Sequence, residues 1–403
     1  MKRLLFLGAI AIFWVGCTPD NPNSKNTQPQ DSTQASLADT TQKAKTPNIP
    51  TNRYWNDLAL YLGGLPPTPE STLDSIDYRA EALEHQEYFE KAWKKKEITH
   101  LSKLASWAQQ EISPLPGTDA RVFYPFSGAD FMTINTIYPN ADSYLLFGLE
   151  PEGHLPELTK IKKERLRNNL ANLEKSLASI MEHTFFKTIN MATDFRSAEL
   201  DGTLPALLAF IARKGNKILN VEAVKITPEG DVVAYTEKIP QNPQDSIITG
   251  VKVYFQKGET GKLQTMTYFS VDIGDNSLKK KENFLKLLQS QKPTHTYVKS
   301  ASYLMHKDYF STIRNTILDI SQIYIQDDSG IPLKYFDRKQ WDLTFYGVYT
   351  GTIPMFNKWK QKDLEEAYKD STNTIKKLDF GIGYKYGNSQ SNLMLAVKKN
   401  LKQ

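Results

Sequence analysis

The sequence predicts an α/β fold: one mixed sheet with two β-α-β units and an antiparallel meander, carrying helices on both faces. Three observations predict it. Residues 121–149 run as an apolar strand, a Ser-Gly turn, a short helix stopped by Pro139 and a second strand leading to Glu150. Residues 296–326 repeat that layout with little shared sequence. Between them, residues 217–275 form strand-like runs separated by turns such as Pro228-Glu-Gly230 and Gly258-Glu-Thr-Gly261, and short turns imply antiparallel pairing.

Taken in order, the chain begins with Met1-Lys2-Arg3, then an apolar run over 4–15, then Gly16-Cys17. The run is shorter than the ~20 apolar residues a bilayer span needs, so it reads as a leader. Ending on Val15-Gly16-Cys17, it resembles the signal peptide and lipobox of bacterial lipoproteins, with Trp14 where leucine is commonest. The resemblance implies cleavage after residue 16, a diacylglycerol on the Cys17 thiol and an acyl chain such as palmitate on its amine. Multiple chains anchor stably where one is marginal. Thr18, in place of an aspartate, favours the outer membrane over the inner one in that family. Cys17 is the only cysteine, which excludes an internal disulfide and a cysteine-based zinc site. Residues 17–50 then form a tether: Leu37 and Ile49 are its only large apolar side chains, too few to offset the entropy of ordering it.

The folded body is expected over 51–403, opening with a helical layer over 51–116. Tyr54, Trp55, Leu58 and Tyr61 recur at helical spacing before the break at Gly63-Gly64-Leu65-Pro66-Pro67, and helices follow at about 75–95 and 99–111. The stretch 122–126 is apolar on both faces, as a covered strand should be, but Pro125 should end it near Tyr124. Leu166, Leu170, Leu173, Leu177 and Ile180 predict a helix over 158–186; Pro205 and Gly215 bracket another. After the meander come a helix at 278–289, a strand at 296–305, a helix at 308–320 and a strand at 322–326 closed by Asp327-Asp328-Ser329-Gly330. A strand at 341–350, a helix at 355–370 and a hairpin of 380–386 with 392–398 complete the body.

Composition narrows the function classes. A hydrophobic content of 40% in 403 residues supports a large core. The net charge of +5 includes Lys2 and Arg3 of the leader, and the basic runs at 94–96 and 279–281 read as solvated helix faces, so nucleic acid is not an expected partner. Ser127-Gly-Ala-Asp130, with Glu150 about 20 residues on, has one glycine where a dinucleotide fingerprint wants three. No cofactor is expected. A capping box is the simpler reading, Ser127 capping the helix and Asp130 reaching back, with a polar ligand site as the alternative.

A hydrolase needs a nucleophile, a base and an orienting acid. Ser127 lies outside a Gly-x-Ser-x-Gly elbow. Among six histidines, His306 at the end of 296–305 is the favoured base, His154 the next, and Asp130, Glu150 or Asp327 the acids; His85, His100, His183 and His295 read as helix-surface or turn residues. Metal spacing is absent, and Asp327-Asp328-Ser329-Gly330 is ordinary turn chemistry. Ser127, Asp130, Glu150, His306 and Asp327 all follow predicted strand ends, where open α/β sheets bind ligands, so they should share one rim. Phe126-Ser-Gly-Ala-Asp-Phe131 and Gly148-Leu-Glu-Pro-Glu-Gly153 are also similar to patterns in uncharacterised bacterial envelope lipoproteins, which implies a location and no activity. The expectation is a lipid-anchored cell-envelope protein with a binding or structural role, partnered by the membrane through Cys17 and by an envelope ligand or protein. An envelope hydrolase using His306 is the alternative.

Overall fold

The computed structural model describes residues 49–71, 73, 76–117, 121–185, 199–236, 247–387 and 389–401. The leader, Cys17 and the tether up to residue 48 lie outside the described residues. Among those described, eleven strands form one mixed sheet in the order β10-β9-β11-β8-β7-β1-β2-β6-β5-β3-β4. The fold class read from the sequence is the one observed.

Five adjacent strands are parallel: β8 (Ser321–Gln326), β7 (Thr294–Val298), β1 (Arg121–Pro125), β2 (Ser143–Gly148) and β6 (Leu263–Ser270). β1 alternates between two cores. Val122 and Tyr124 enter the one under the amino-terminal helices, and Phe123 enters the other. Burial on both faces is what an uninterrupted apolar strand anticipates. Pro125 is accommodated at the strand's end, because the β7 ladder stops at Phe123 and only β2 still pairs beyond it.

The first core lies beneath α1 (Arg53–Leu62), α2 (Ile76–Lys96), α3 (Ser102–Glu111), α4 (Phe131–Ile137), α5 (Lys163–Glu182) and α6 (Leu204–Arg213). Leu166, Leu170, Leu173, Leu177 and Ile180 of α5 are all buried, as their spacing requires. Between α2 and α3 the chain makes a π-helical turn, Glu97–Leu101, which inserts buried His100. The second core is covered by α7 (Asp275–Leu278), α8 (Glu282–Ser290), α9 (Ser311–Ile320) and α10 (Lys362–Lys369).

The antiparallel region departs from a simple meander. β3 (Asn216–Ile226) lies between β4 (Val232–Ala234) and β5 (Thr249–Lys257), and β5 hands on to β6. The expected carboxyl-terminal hairpin is replaced by a different pairing. Residues 380–386 contain a 3-10 turn, Gly383–Lys385, while β11 (Asn392–Lys398) inserts between β8 and β9 (Trp341–Gly347), antiparallel to both. The two-residue β10 (Ile375–Lys376) closes that edge. Alternation along 392–398 shows a strand but not which neighbour it joins.

The strand expected over 296–305 is the larger correction. β7 ends at Val298, and Ser300, Ser302 and Tyr303 all adopt left-handed backbone conformations before the turn Leu304–His306. No run of period-2 hydrophobicity survives that turn.

Candidate functional site

The chain leaves β1 toward β2 on one side and leaves β7 toward β8 on the other, so the adjacent β1 and β7 make a topological switch point. A crevice opens there at the carboxyl ends of the strands, the usual ligand position in such sheets. A cavity of about 220 Å³ fills it, lined by segments that follow β1, β2, β6 and β7. Sequence-predicted Ser127, Asp130 and Glu150 line it together.

Asp130 caps α4: its Oδ1 accepts from the Thr133 N–H at 3.2 Å. Ser127 does not cap. Its hydroxyl faces the carbonyls of Gly128 at 3.0 Å and Phe147 at 3.4 Å, so the expected capping box is corrected to a single aspartate cap. The difference arises because Phe126, at φ +60°, and Gly128, at φ +51°, turn the chain so that the helix starts at Phe131. The other Asp130 oxygen accepts from the Tyr124 hydroxyl at 2.9 Å and pairs with Lys299 Nζ at 2.7 Å. Both charged side chains are almost fully buried, at 1% and 3% exposure.

Lys299 also donates to the carbonyl of Thr184 and lies 3.4 Å from Thr133 Oγ1. Its three protons therefore have three acceptors, as a buried ammonium needs. Behind this floor sits Lys96, 3% exposed, donating to the His183 carbonyl. Burial, with a smaller push from Lys299, lowers its pKa to about 7, against the opposing pull of Asp130. Burial likewise holds neighbouring His100 well below the ordinary histidine range, and Lys96 adds to the effect. Tyr124 is driven upward by burial and by Asp130, so it stays a protonated donor.

The loop after β7 is held by side chains. Asp327 accepts from the Ser300 N–H at 3.0 Å, Ser329 from the Ala301 N–H at 2.8 Å, and the Tyr384 hydroxyl from the Ser302 N–H at 3.1 Å. Left-handed residues other than glycine cost of order 1–3 kcal/mol each, which these bonds offset. Asp327 is thus a brace beside the cavity and not part of its lining. Burial, reinforced by the Asp328 carboxylate, raises its pKa to about 7; burial also raises Asp328, which is bonded by Tyr303 and Asn392.

His306 is not on the rim. It packs between Tyr303 and Trp359 and is held by burial at a pKa of about 4. Among the described residues it pairs with no carboxylate and is absent from the cavity lining. The proposed base and the proposed nucleophile are therefore not brought together. His154 pairs with Asp201 at 2.8 Å at the surface. His85, His100 and His295 are buried, not at the surface as expected: His85 bridges Glu174 and the Leu62 carbonyl, and His295 lies inside β7.

Lys299, Tyr124, Ser300 and Tyr384 were not singled out from sequence. Lys299 falls inside the strand expected over 296–305, so its place at a strand end was not readable from sequence. Among the described residues no group of three or more His, Cys, Asp or Glu is placed to hold a metal ion, and no helix is long and apolar enough to cross a membrane. Set against protein-family models, curated proteins and solved structures, the chain matches none.

Proposed function

We propose that this chain is a lipid-anchored cell-envelope protein whose folded body binds a small ligand in the cavity at the β1/β7 switch point. The observation that carries the binding role is that cavity, with its preformed, side-chain-braced rim and a floor whose charges are already neutralised internally. A floor closed on itself favours holding a ligand over transferring a proton to one. The anchor rests on Met1-Lys2-Arg3, the apolar run and Val15-Gly16-Cys17. The outer membrane is the proposed location, through Thr18.

Two measurements test the halves separately. Cys17→Ser should move the full chain from the membrane fraction to the soluble one and abolish labelling by a palmitate analogue; retention of both refutes the anchor. The full chain isolated from its envelope and examined by native mass spectrometry should carry a bound small molecule. Leu304→Trp, which places a ring in the cavity from a partly exposed position, should remove it. Equal occupancy in that variant would place the ligand elsewhere.

A further inference from the structure

The cavity wall is rich in rings: Tyr124, Phe126, Phe147, Phe185, Phe310 and Tyr384 all line it. Phe126, Phe185 and Tyr384 are half-buried, so part of each is left uncovered by the rest of the chain. Each is already held by another ring. Phe126 packs against Phe147 with centroids 5.7 Å apart and planes at 57°, and Phe185 meets Tyr384 edge-on at 5.1 Å and 63°. Tyr384 also packs against Phe356 at 5.1 Å. The two pairs come from distant parts of the sequence. One sits at the ends of β1 and β2, and the other joins the segment after α5 to the turn Gly383–Lys385.

The tyrosine hydroxyls are spent within the protein. Tyr124 donates to Asp130 at 2.9 Å, while Tyr384 accepts from the Ser302 N–H at 3.1 Å and donates to the Ser300 carbonyl at 2.8 Å. The hydroxyls of Ser127 and Ser302 are bonded within the chain as well. Both tyrosines therefore offer a ligand their ring surface, fixed before it arrives. A ring entering such a wall gains edge-to-face and offset contacts beyond those of an aliphatic group of equal area, and little side-chain freedom is lost on binding. The buried Asp130–Lys299 pair closes the floor, so a cavity of about 220 Å³ suits a compact body better than an extended chain.

We infer that the cavity takes a compact aromatic molecule, with its ring against Phe126, Phe185 and Tyr384. This rests on the cavity being the ligand site.

The test is calorimetric titration of the full chain with three uncharged alcohols of similar size: 2-phenylethanol, 2-cyclohexylethanol and 1-octanol. Burial of apolar area alone ranks the phenyl compound last, since water hydrates an aromatic ring better than a saturated one. Recognition by rings reverses that order, and 2-phenylethanol is expected to bind about threefold or more tighter than 2-cyclohexylethanol. Phe185→Leu, which keeps an apolar side chain and removes the ring, should abolish the preference while leaving the saturated alcohol's affinity nearly unchanged; an undiminished preference overturns the assignment. Phe126→Leu takes its place if that variant does not fold. Binding of a saturated alcohol as tightly as the phenyl one, lost in Leu304→Trp, overturns the aromatic assignment and leaves the cavity as the site. Binding that survives Leu304→Trp lies elsewhere and overturns both readings. Binding by none of the three overturns the aromatic assignment, and the mass measurement above then decides the cavity independently.

Discussion

Asp130 carries three duties at once: it caps α4, accepts from Tyr124 and neutralises Lys299. Asp130→Asn keeps the shape but removes the carboxylate paired with buried Lys299, and stability to urea should fall by about 3–5 kcal/mol. Combining it with Lys299→Met should cost less than the two single changes summed, because no unpaired charge remains. Ser127→Ala should cost roughly 1 kcal/mol or less, since Ser127 bonds only carbonyls and no helix N–H depends on it. Lys96 makes the opposite prediction. Its folded pKa of about 7 lies below the ordinary value of 10.5, so the unfolded chain binds more protons between those limits and stability rises as pH rises from about 7 to 10.5. Lys96→Met should flatten that rise and stabilise the protein at pH 7 by on the order of 3 kcal/mol, measured as urea midpoints across pH.

At the scale of elements, the segment after β7 shows how side chains hold a backbone that the residues themselves disfavour. Ser300, Ser302 and Tyr303 are left-handed without being glycines, and Asp327, Ser329 and Tyr384 hold the N–H groups of residues 300–302. Asp327 titrates upward on folding, from 3.8 to about 7, so the folded chain binds more protons between those values. Its contribution is greatest below about pH 4 and is lost as pH rises through about 7. Asp327→Asn should remove this component, leaving a stability curve that declines less over that window. His295 and His306, both lowered to about 4, act in the opposite sense, adding stability as pH rises from about 4 to 6.5, and the variant should uncover that slope.

For the molecule as a whole, the expectation from sequence and the structure agree wherever one segment decides its own state. The β1-α4-β2 unit was legible because a covered strand is apolar throughout and Pro139 stops its helix. The α5 stripe was legible because leucine spacing alone determines which face is buried. The carboxyl-terminal pairing was not, since a strand's alternation says nothing about its partner. Nor was the end of β7, since its left-handed turn depends on acceptors contributed by residues 327–329 and 384. Within the site, Ser127, Asp130 and Glu150 were placed on one rim by strand ends alone, whereas Lys299 needed the adjacency of β1 and β7 to become their partner.

The sequence by itself determined the α/β class and the strand-end positions of Ser127, Asp130 and Glu150, because each depends on neighbours along the chain. Only the tertiary structure decided that Asp130 meets Lys299, that His306 turns away from the rim and that Asp327 braces a loop. Those depend on which strands lie side by side and on which charges are buried together, and local spacing carries neither.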